Sequence, residues 1–393
     1  MQLTEQHIVK TNEWKEWCIK AKELYNQSLY YWKQSMIGNI EKFSEYELTG
    51  VYAKFNEPTF RALPSNTSQQ IVRILFRNIS SWKAAKKSYY KDSSNFLFFP
   101  KMPKYKKKLS ELRFTSSQLK IKEGYVHFPK MLNILPIKTN LTKIDYGRVI
   151  PKSNHFVVEF IYTKEEKLLI ENDNWLSIDV GLNNLVTCVS NIGKAFIING
   201  KPLKSINEYY NKRKALLQSK LLKGIYSSKR IKKLSYKRYN KIKDYIHKTS
   251  REIINFCNVN NISKIIIGKN IHWKQNINIG KDSNRKFTQI PHATLIEKIR
   301  YKAQLEGKFF IETQEAYTSK CSALDLEPIM KHEKYLGKRV KRGLFRTSKN
   351  QYINADCNGA LNICRLVLGD EALKDFDSIL SAVVAPVRIK CFI

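Results

Sequence analysis

Three carboxylates stand at the ends or beginnings of elements in this chain, where acids from distant segments can meet. Asp179 lies inside an apolar, strand-forming run, Trp175-Leu-Ser-Ile-Asp-Val-Gly-Leu-Asn-Asn-Leu-Val-Thr-Cys-Val189. Ile178, Val180, Leu182, Leu185, Val186 and Val189 read there as two strands turning at Gly181 and Asn183-Asn184. An ionised carboxylate in a buried strand is costly unless a cation or a hydrogen-bond donor meets it. Glu315 follows the strand-like Phe309-Phe-Ile-Glu-Thr313, and Asp356 opens a helical segment, Ile353-Asn-Ala-Asp-Cys-Asn-Gly-Ala-Leu-Asn-Ile363, with Asn358 and Asn362 one turn apart. Such hard oxygens suit Mg²⁺ or Mn²⁺. Two such ions ~4 Å apart activate water and stabilise the leaving oxygen in phosphodiester cleavage, with Asp179 as the natural shared ligand. Each acid also has a plainer reading. Asp179 can accept backbone bonds at a strand end, Glu315 can be an exposed strand-end acid or a partner for lysines, and Asp356 can be a helix N-terminal acid favoured by the dipole.

The elements needed to bring these acids together are legible. From Trp175 onward strands come first, followed by a long helical stretch over 204–257, a short buried strand Ile262–Gly268, a helix from Pro291 to Glu306 closed by Gly307, and the strand at 309–313. That order is the order of an RNase H-like fold. Its first strand is central, and the two later parallel strands lie beside it in sequence order. Their C-terminal ends open on one edge. The second of those strands ends at Gly268-Lys269-Asn270 with no carboxylate, which leaves Glu315 to lean over the edge from the third. Upstream, Leu3 to Val9 reads as a strand. A helix from Thr11 carries Trp14, Trp17, Leu24, Tyr25 and Trp32, and a second helix follows Leu63 with Ser65, Asn66 and Thr67 as caps. Short alternating segments from Leu112 to Tyr162 then suit a small β-barrel, split by the helical insert and including residues 1–9. The fold class expected is α/β multi-domain.

The chain has 393 residues, more than one domain by length. Its 70 Lys and Arg against 34 Asp and Glu give a formal charge of +36. A polyanionic partner, nucleic acid before anionic membrane, is the expectation. No segment approaches the length of about 18 apolar residues that spans a bilayer, and Met-Gln-Leu-Thr-Glu does not read as a signal peptide. A cytoplasmic, prokaryotic setting, on the nucleoid when bound, is expected, with no membrane partner. The seven cysteines (18, 188, 257, 321, 357, 364 and 391) are never spaced as CxxC, which argues for reduced thiols.

Four stretches, Asp179-Val-Gly-Leu-Asn-Asn184, Ile267-Gly-Lys-Asn-Ile-His-Trp-Lys-Gln275, Glu315-Ala-Tyr-Thr-Ser-Lys-Cys-Ser322 and Asn354-Ala-Asp-Cys-Asn-Gly-Ala-Leu-Asn-Ile363, resemble the TnpB (OrfB) family of insertion-sequence proteins, relatives of type V CRISPR effectors. Leu24-Tyr-Asn26, Leu63-Pro64 and Pro100-Lys-Met-Pro-Lys-Tyr105 extend the resemblance over nearly the whole chain. It implies an RNA-guided DNA endonuclease with a RuvC-like domain. The implied partners are a guide RNA from the transposon end and double-stranded target DNA bearing a short flanking motif. The resemblance sets the expected layout: a wedge-type barrel over 1–10 and 96–165, a helical recognition domain over 11–95, a nuclease domain over 172–315 and 353–393, and an insert over 316–352. The protein is expected as a monomer or dimer.

Two departures follow. The family usually places a glutamate where this chain has Gly268-Lys269, so the chain resembles a branch in which that acid has moved. Glu315 is the candidate, with Glu312 as fallback. The family also usually inserts a zinc ribbon before its last aspartate. Residues 318–352 offer only Cys321 and His332 as soft ligands, short of the four of a structural site, so no zinc is expected. From Lys334 to Lys349 this insert carries seven basic and no acidic residues.

Between Lys204 and Arg251 sixteen Lys and Arg face Glu208 and Asp244. A run of that density suits a helix lying along a nucleic-acid backbone. Arg213, Lys229, Arg230, Lys233, Arg238, Lys241 and Arg251 are the candidates there, with Lys101, Lys104, Lys106 and Lys107 at the barrel, Lys274 after the second parallel strand, and Lys320, Arg339 and Arg342 in the insert. Tyr25, Tyr30, Tyr31, Trp32, Tyr89 and Tyr90 could stack on bases or wedge a duplex, although such aromatics are more often core. His247 and His272 read as structural. Two other functions fit the same residues: a nuclease-inactive RNA-guided repressor, and an acid-triad transposase that acts without RNA.

Overall fold

The computed structural model describes residues 1–152, 155–270, 280–373 and 376–390. Lys274 and His272 therefore lie outside the described residues. The chain divides into two compact units, Met1–Lys164 and Glu165–Ile393.

In the first unit, strand β1 (Gln2–Val9) precedes helices α1 (Glu13–Met36), α2 (Glu45–Lys54), α3 (Pro58–Arg61) and α4 (Ser65–Lys91). Strands β2 (Leu112–Thr115), β3 (Lys120–Lys122), β4 (Tyr125–His127), β5 (Ile137–Lys138), β6 (Tyr146–Pro151) and β7 (Phe156–Thr163) follow. β1 pairs antiparallel with β7 along its whole length, from Gln2 opposite Thr163 to Val9 opposite Phe156. The N-terminal strand thus joins strands that lie beyond the helices. Pairing gives two sheets, β1-β7-β6-β2 and β3-β4-β5, and no ladder among the described residues closes them into the single barrel expected from the sequence. The expected caps of α4 also differ. Extended Pro64 precedes the helix without a side-chain cap, and Thr67 instead accepts a hydrogen bond from Gln118 at 3.0 Å.

The second unit holds β8 (Trp175–Val180), β9 (Asn184–Ser190), β10 (Ala195–Asn199), α5 (Lys201–Gln218), α6 (Lys229–Val259), β11 (Lys264–Gly268), α7 (Lys281–Thr288), α8 (His292–Leu305) and β12 (Phe309–Thr313). It continues through β13 (Lys338–Lys341), β14 (Leu344–Arg346), β15 (Tyr352–Asn354), α9 (Ala355–Leu368), α10 (Phe376–Val384) and β16 (Val387–Ile389). The six-stranded sheet runs β12-β11-β8-β9-β10-β16. β8, β9 and β10 form an antiparallel meander, while β11 and β12 lie parallel to β8. The helical stretch expected over 204–257 is two helices. The first ends at Gln218, Gly224 at φ +84° lies in the connection, and Ser228 starts the second by accepting the Ile231 N–H at 3.3 Å.

Alternation along β8 assigns its faces. Leu176, Ile178 and Val180 enter the core shared with Ile246, Ile253 and Ile296 from α6 and α8. Trp175 enters the opposite core with Leu361 and Ile363 of α9, and Ser177 donates to the Ala360 carbonyl at 2.6 Å. Asp179, two residues on, must face α9. Each fully buried Leu or Ile here contributes ~1.5–3 kcal/mol, so a one-residue slip of β8 is strongly disfavoured. Among the described residues no helix is long and apolar enough to cross a membrane.

Candidate active site

The Asp179 carboxylate packs against α9 where that helix has no side chain. A Cβ placed on Gly359 would lie 2.9 Å from Asp179 Oδ2. Asp356 precedes Gly359 by three residues, so both lie on one helix face. Asn354 caps that helix, its side chain accepting the N–H groups of Asp356 and Cys357 at 3.0 and 3.2 Å. The cap fixes the first turn, and with it the backbone that carries Asp356.

Glu315 arrives from the other side. The β11–β12 ladder continues past Gly268, with the Lys269 N–H donating to the Thr313 carbonyl at 2.9 Å. Asn270 then clasps Glu315: its Oδ1 accepts the Glu315 N–H at 3.1 Å, and its Nδ2 donates to Oε1 at 3.5 Å. This turns the Glu315 carboxyl over Gly268, with Cδ 3.1 Å from where a Cβ on that glycine would stand. Glu312 is engaged elsewhere, in ion pairs with Arg300 and with Lys269, the latter at 3.1 Å. Burial raises the proton affinity of Glu312, but Arg300 and Lys269 together hold its carboxyl below the usual range.

Burial dominates the electrostatics of two of these acids. Burial first, then Glu315, then Asp356 push the Asp179 carboxyl well above the usual carboxylate range, against the downward pull of Arg339 and the Val180 N–H. Burial alone pushes Glu315 up to about 7. Asp356 engages both its oxygens, accepting from Asn184 Nδ2 at 2.7 Å and pairing with Arg339 at 2.9 Å. As placed, no three Asp, Glu, His or Cys among the described residues converge closely enough to enclose one ion. The donor chemistry still fits a divalent cation, because mutually repelling carboxylates of hard oxygen are stabilised by positive charge between them. Asn184, Asn270 and Gly359 matter to this geometry, whereas in the sequence they read as turn, strand-end and helix-start residues with no part in the site. Their signal was proximity to the acids: each lies within one of the motifs quoted above.

The expected nucleic-acid contacts divide. Lys101, Lys104, Lys107, Arg213, Lys229, Arg230, Lys233, Lys241, Arg251, Lys320 and Arg342 are exposed. Tyr209, Arg213, Arg230, Lys233 and Lys241 border a cleft of about 690 Å³ between α5 and α6. Three cations are already engaged. Lys106 turns its ammonium inward to Ser110 at 2.7 Å and over the Tyr25 ring at 3.9 Å, and burial lowers its pKa. Arg238 donates to Asn207 at 2.6 Å and lies over Tyr210, joining α6 to α5. Arg339 holds Asp356. Among the aromatics, Tyr25 and Trp32 are core, whereas Tyr30 and Tyr90 are exposed. His247 is held neutral, its pKa lowered to about 4 by burial and then by Lys298 and Lys302.

The insert is built as a small sheet, β13-β14-β15, tied to α9 by side chains. Asn358 accepts the Ala323 N–H at 2.9 Å, and the amides of Asn358 and Asn362 both donate to the Cys321 carbonyl. Cys321 Sγ lies 3.5 Å from the Met330 carbonyl, and His332 Nε2 lies 2.7 Å from that of Pro328.

Comparison with protein families gives two matches in chain order. A model described as a probable transposase, OrfB of IS605, matches residues 155–274, and one described as the Cas12f1-like TNB domain matches residues 292–363. A search of curated proteins found no match. Among solved structures, the chain is similar to a Cas12f1–sgRNA–target DNA complex at 17% identity and a TM-score of 0.40, covering 92% of this chain and 98% of that one. It is also similar to the mini-RNA-guided endonuclease CRISPR-Cas_phi3 at 10% identity and a TM-score of 0.47, covering 93% and 92%. Asp179 lies in the first matched segment, and Glu315 and Asp356 lie in the second, so each of the three acids falls where this chain is similar to an OrfB (TnpB) or Cas12f1-like protein.

Proposed function

We propose that this protein is an insertion-sequence-associated, RNA-guided DNA endonuclease whose RuvC-like, RNase H-type domain cuts phosphodiester bonds at the edge formed by Asp179, Glu315 and Asp356. The observation that carries the reading is geometric: the Glu315 carboxyl lies over Gly268, the strand position beside Asp179, and Asp179 packs against Gly359 on the helix that Asp356 opens, although the three acids come from β8, the turn after β12 and the start of α9. Acids gathered from such distant elements against mutual repulsion have a use that a solvated surface acid lacks.

These residues would hold two Mg²⁺ or Mn²⁺ ions, with Asp179 shared. When bound, the ions supply an activated water and charge to stabilise the leaving oxygen. The chain's own part is positioning. Asn270 fixes the direction of the Glu315 carboxyl, the Asn354 cap fixes the backbone of Asp356, and the bare Gly359 lets Asp179 approach the helix. Arg339 neutralises Asp356 in the free chain and is placed to transfer to a phosphate when that carboxylate turns to a cation. The exposed lysines and arginines of α5 and α6 hold nucleic-acid backbone without reading sequence, and target choice falls to base pairing with the guide and a short flanking motif.

The test is cleavage of a plasmid carrying the guide-matched target in Mg²⁺, beside Asp179→Ala. Guided cutting lost in the variant supports the reading. Guided binding without cutting by the parent identifies a repressor, and absence of copurified RNA of defined sequence points to a transposase acting without a guide.

A further inference from the structure

The loop after α4 is an apolar tip on a basic stem. Asp92 builds its turn, accepting the Ser94 N–H at 2.9 Å and the Asn95 amide at 2.7 Å. Tyr89 packs edge-on against Phe96 and Phe99 at ring separations of 5.6 and 5.2 Å, and Trp82 donates to the Pro100 carbonyl at 3.1 Å. The loop is therefore pinned at both ends. What it holds outward is Leu97 and Phe98, 93% and 80% exposed, beside Tyr90 at 69%.

A contiguous apolar tip held out by a pinned loop marks an interaction site, unlike apolar residues exposed singly. Charge says which partner it takes. Nine lysines and one acid, Asp92, lie between Lys83 and Lys108, and Lys83, Lys87, Lys91 and Lys101 are exposed. A polyanion fits that rim, and the only broad apolar surface a nucleic acid offers is the face of an unstacked base. Leu and Phe are residue types that wedge between base steps.

We propose that Leu97 and Phe98 form an unstacking wedge that covers bases at an opened or distorted step of bound DNA, while the lysines of α4 hold the flanking phosphates. The wedge rests on the nucleic-acid-binding part of the reading above and not on cleavage. Its work is to separate bases where a guide must begin to pair.

The test uses the full chain with its copurified RNA and DNA carrying 2-aminopurine, either in a continuous duplex or beside a short mismatch bubble. Stacking on an aromatic or apolar side chain is worth about 1–3 kcal/mol per base, roughly 5- to 150-fold in affinity. The Leu97→Ser/Phe98→Ser double variant, whose side chains are exposed and whose melting temperature should match the parent, is expected to bind the bubble at least fivefold more weakly. It should bind the duplex within about twofold and lose the 2-aminopurine fluorescence change. Equal bubble affinity and signal in parent and variant overturn the wedge. So does a concentration-dependent dimer, seen by sedimentation, that the double variant abolishes, since a second copy would then cover the tip. If the parent binds neither DNA, the nucleic-acid reading itself fails.

Discussion

The carboxyl group of Glu315 occupies the space above Gly268 where a side chain at that position would begin. Its Cδ stands 3.1 Å from the ideal Cβ, and Ile363 Cδ1 stands 2.6 Å away on the other side. Gly268 follows Ile267, which is in register with Ile178 on the neighbouring strand, so the next position on each strand holds Gly268 and Asp179. A glutamate from β12's end thus delivers its oxygens beside Asp179 over a residue that must stay bare. Gly268→Ala should push that carboxyl aside. The expected result is a tenfold or greater loss of guided cleavage, about 1.4 kcal/mol of barrier, together with a lower melting temperature, because the new Cβ meets the buried Ile363 as well as the glutamate.

Glu315 and Glu312 should separate cleanly. Glu315→Gln is expected to lower cleavage on the order of 10³-fold, about 4 kcal/mol of barrier. Glu312→Gln removes partly exposed ion pairs to Arg300 and Lys269, and should cost about 1 kcal/mol of stability or less, with cleavage within about threefold of the parent. Single-turnover rates and thermal melts on both variants make the comparison.

The sequence carried the nuclease sheet well because its strands are short apolar runs whose parity assigns faces: Asp179 had to share a face with Trp175 and Ser177. It carried Glu315 less firmly, since the turn that swings it over Gly268 depends on Asn270, a residue 45 positions away that only the β11–β12 pairing brings near. The engaged cations were illegible for a similar reason. Lys106 and Arg238 look like any other residue of a basic run, and only Ser110, Tyr25 and Asn207 in space reveal that their charges are used internally. The break between the two helices around Gly224 was available in principle, as a glycine followed by a serine cap.

Metal-free protein should show a pH dependence traceable to Glu315. Its carboxyl titrates at about 7 in the fold against an ordinary value near 4.5. Between those values the native state holds more protons than the unfolded chain, so its contribution favours folding at low pH and is lost as pH rises to 7. In a chelator, the parent should lose more melting temperature than Glu315→Gln between pH 5 and pH 7.5. Parallel pH curves would refute the assignment.

Arg339→Ala removes the cation that pairs with Asp356 and also pulls on Asp179. The pair is partly exposed, so stability should fall by ~1 kcal/mol or less. Mn²⁺ should bind more tightly, by about 1 kcal/mol or roughly fivefold, because a competing charge is gone, and calorimetry reads this directly. Cleavage should fall despite the tighter binding if Arg339 serves a phosphate.

Zinc should be absent from protein purified without chelators, at well under one equivalent by elemental analysis. The 318–352 segment offers Cys321 and His332 alone, and a full equivalent would require ligands from elsewhere.

The most direct measurement is anomalous diffraction from crystals of the guide- and target-bound protein soaked in Mn²⁺. The account requires two peaks ~4 Å apart, both touching Asp179, one also reaching Glu315 and the other Asp356. Manganese bound away from Asp179, or a Glu315 carboxyl more than ~8 Å from it in that complex, would contradict the account.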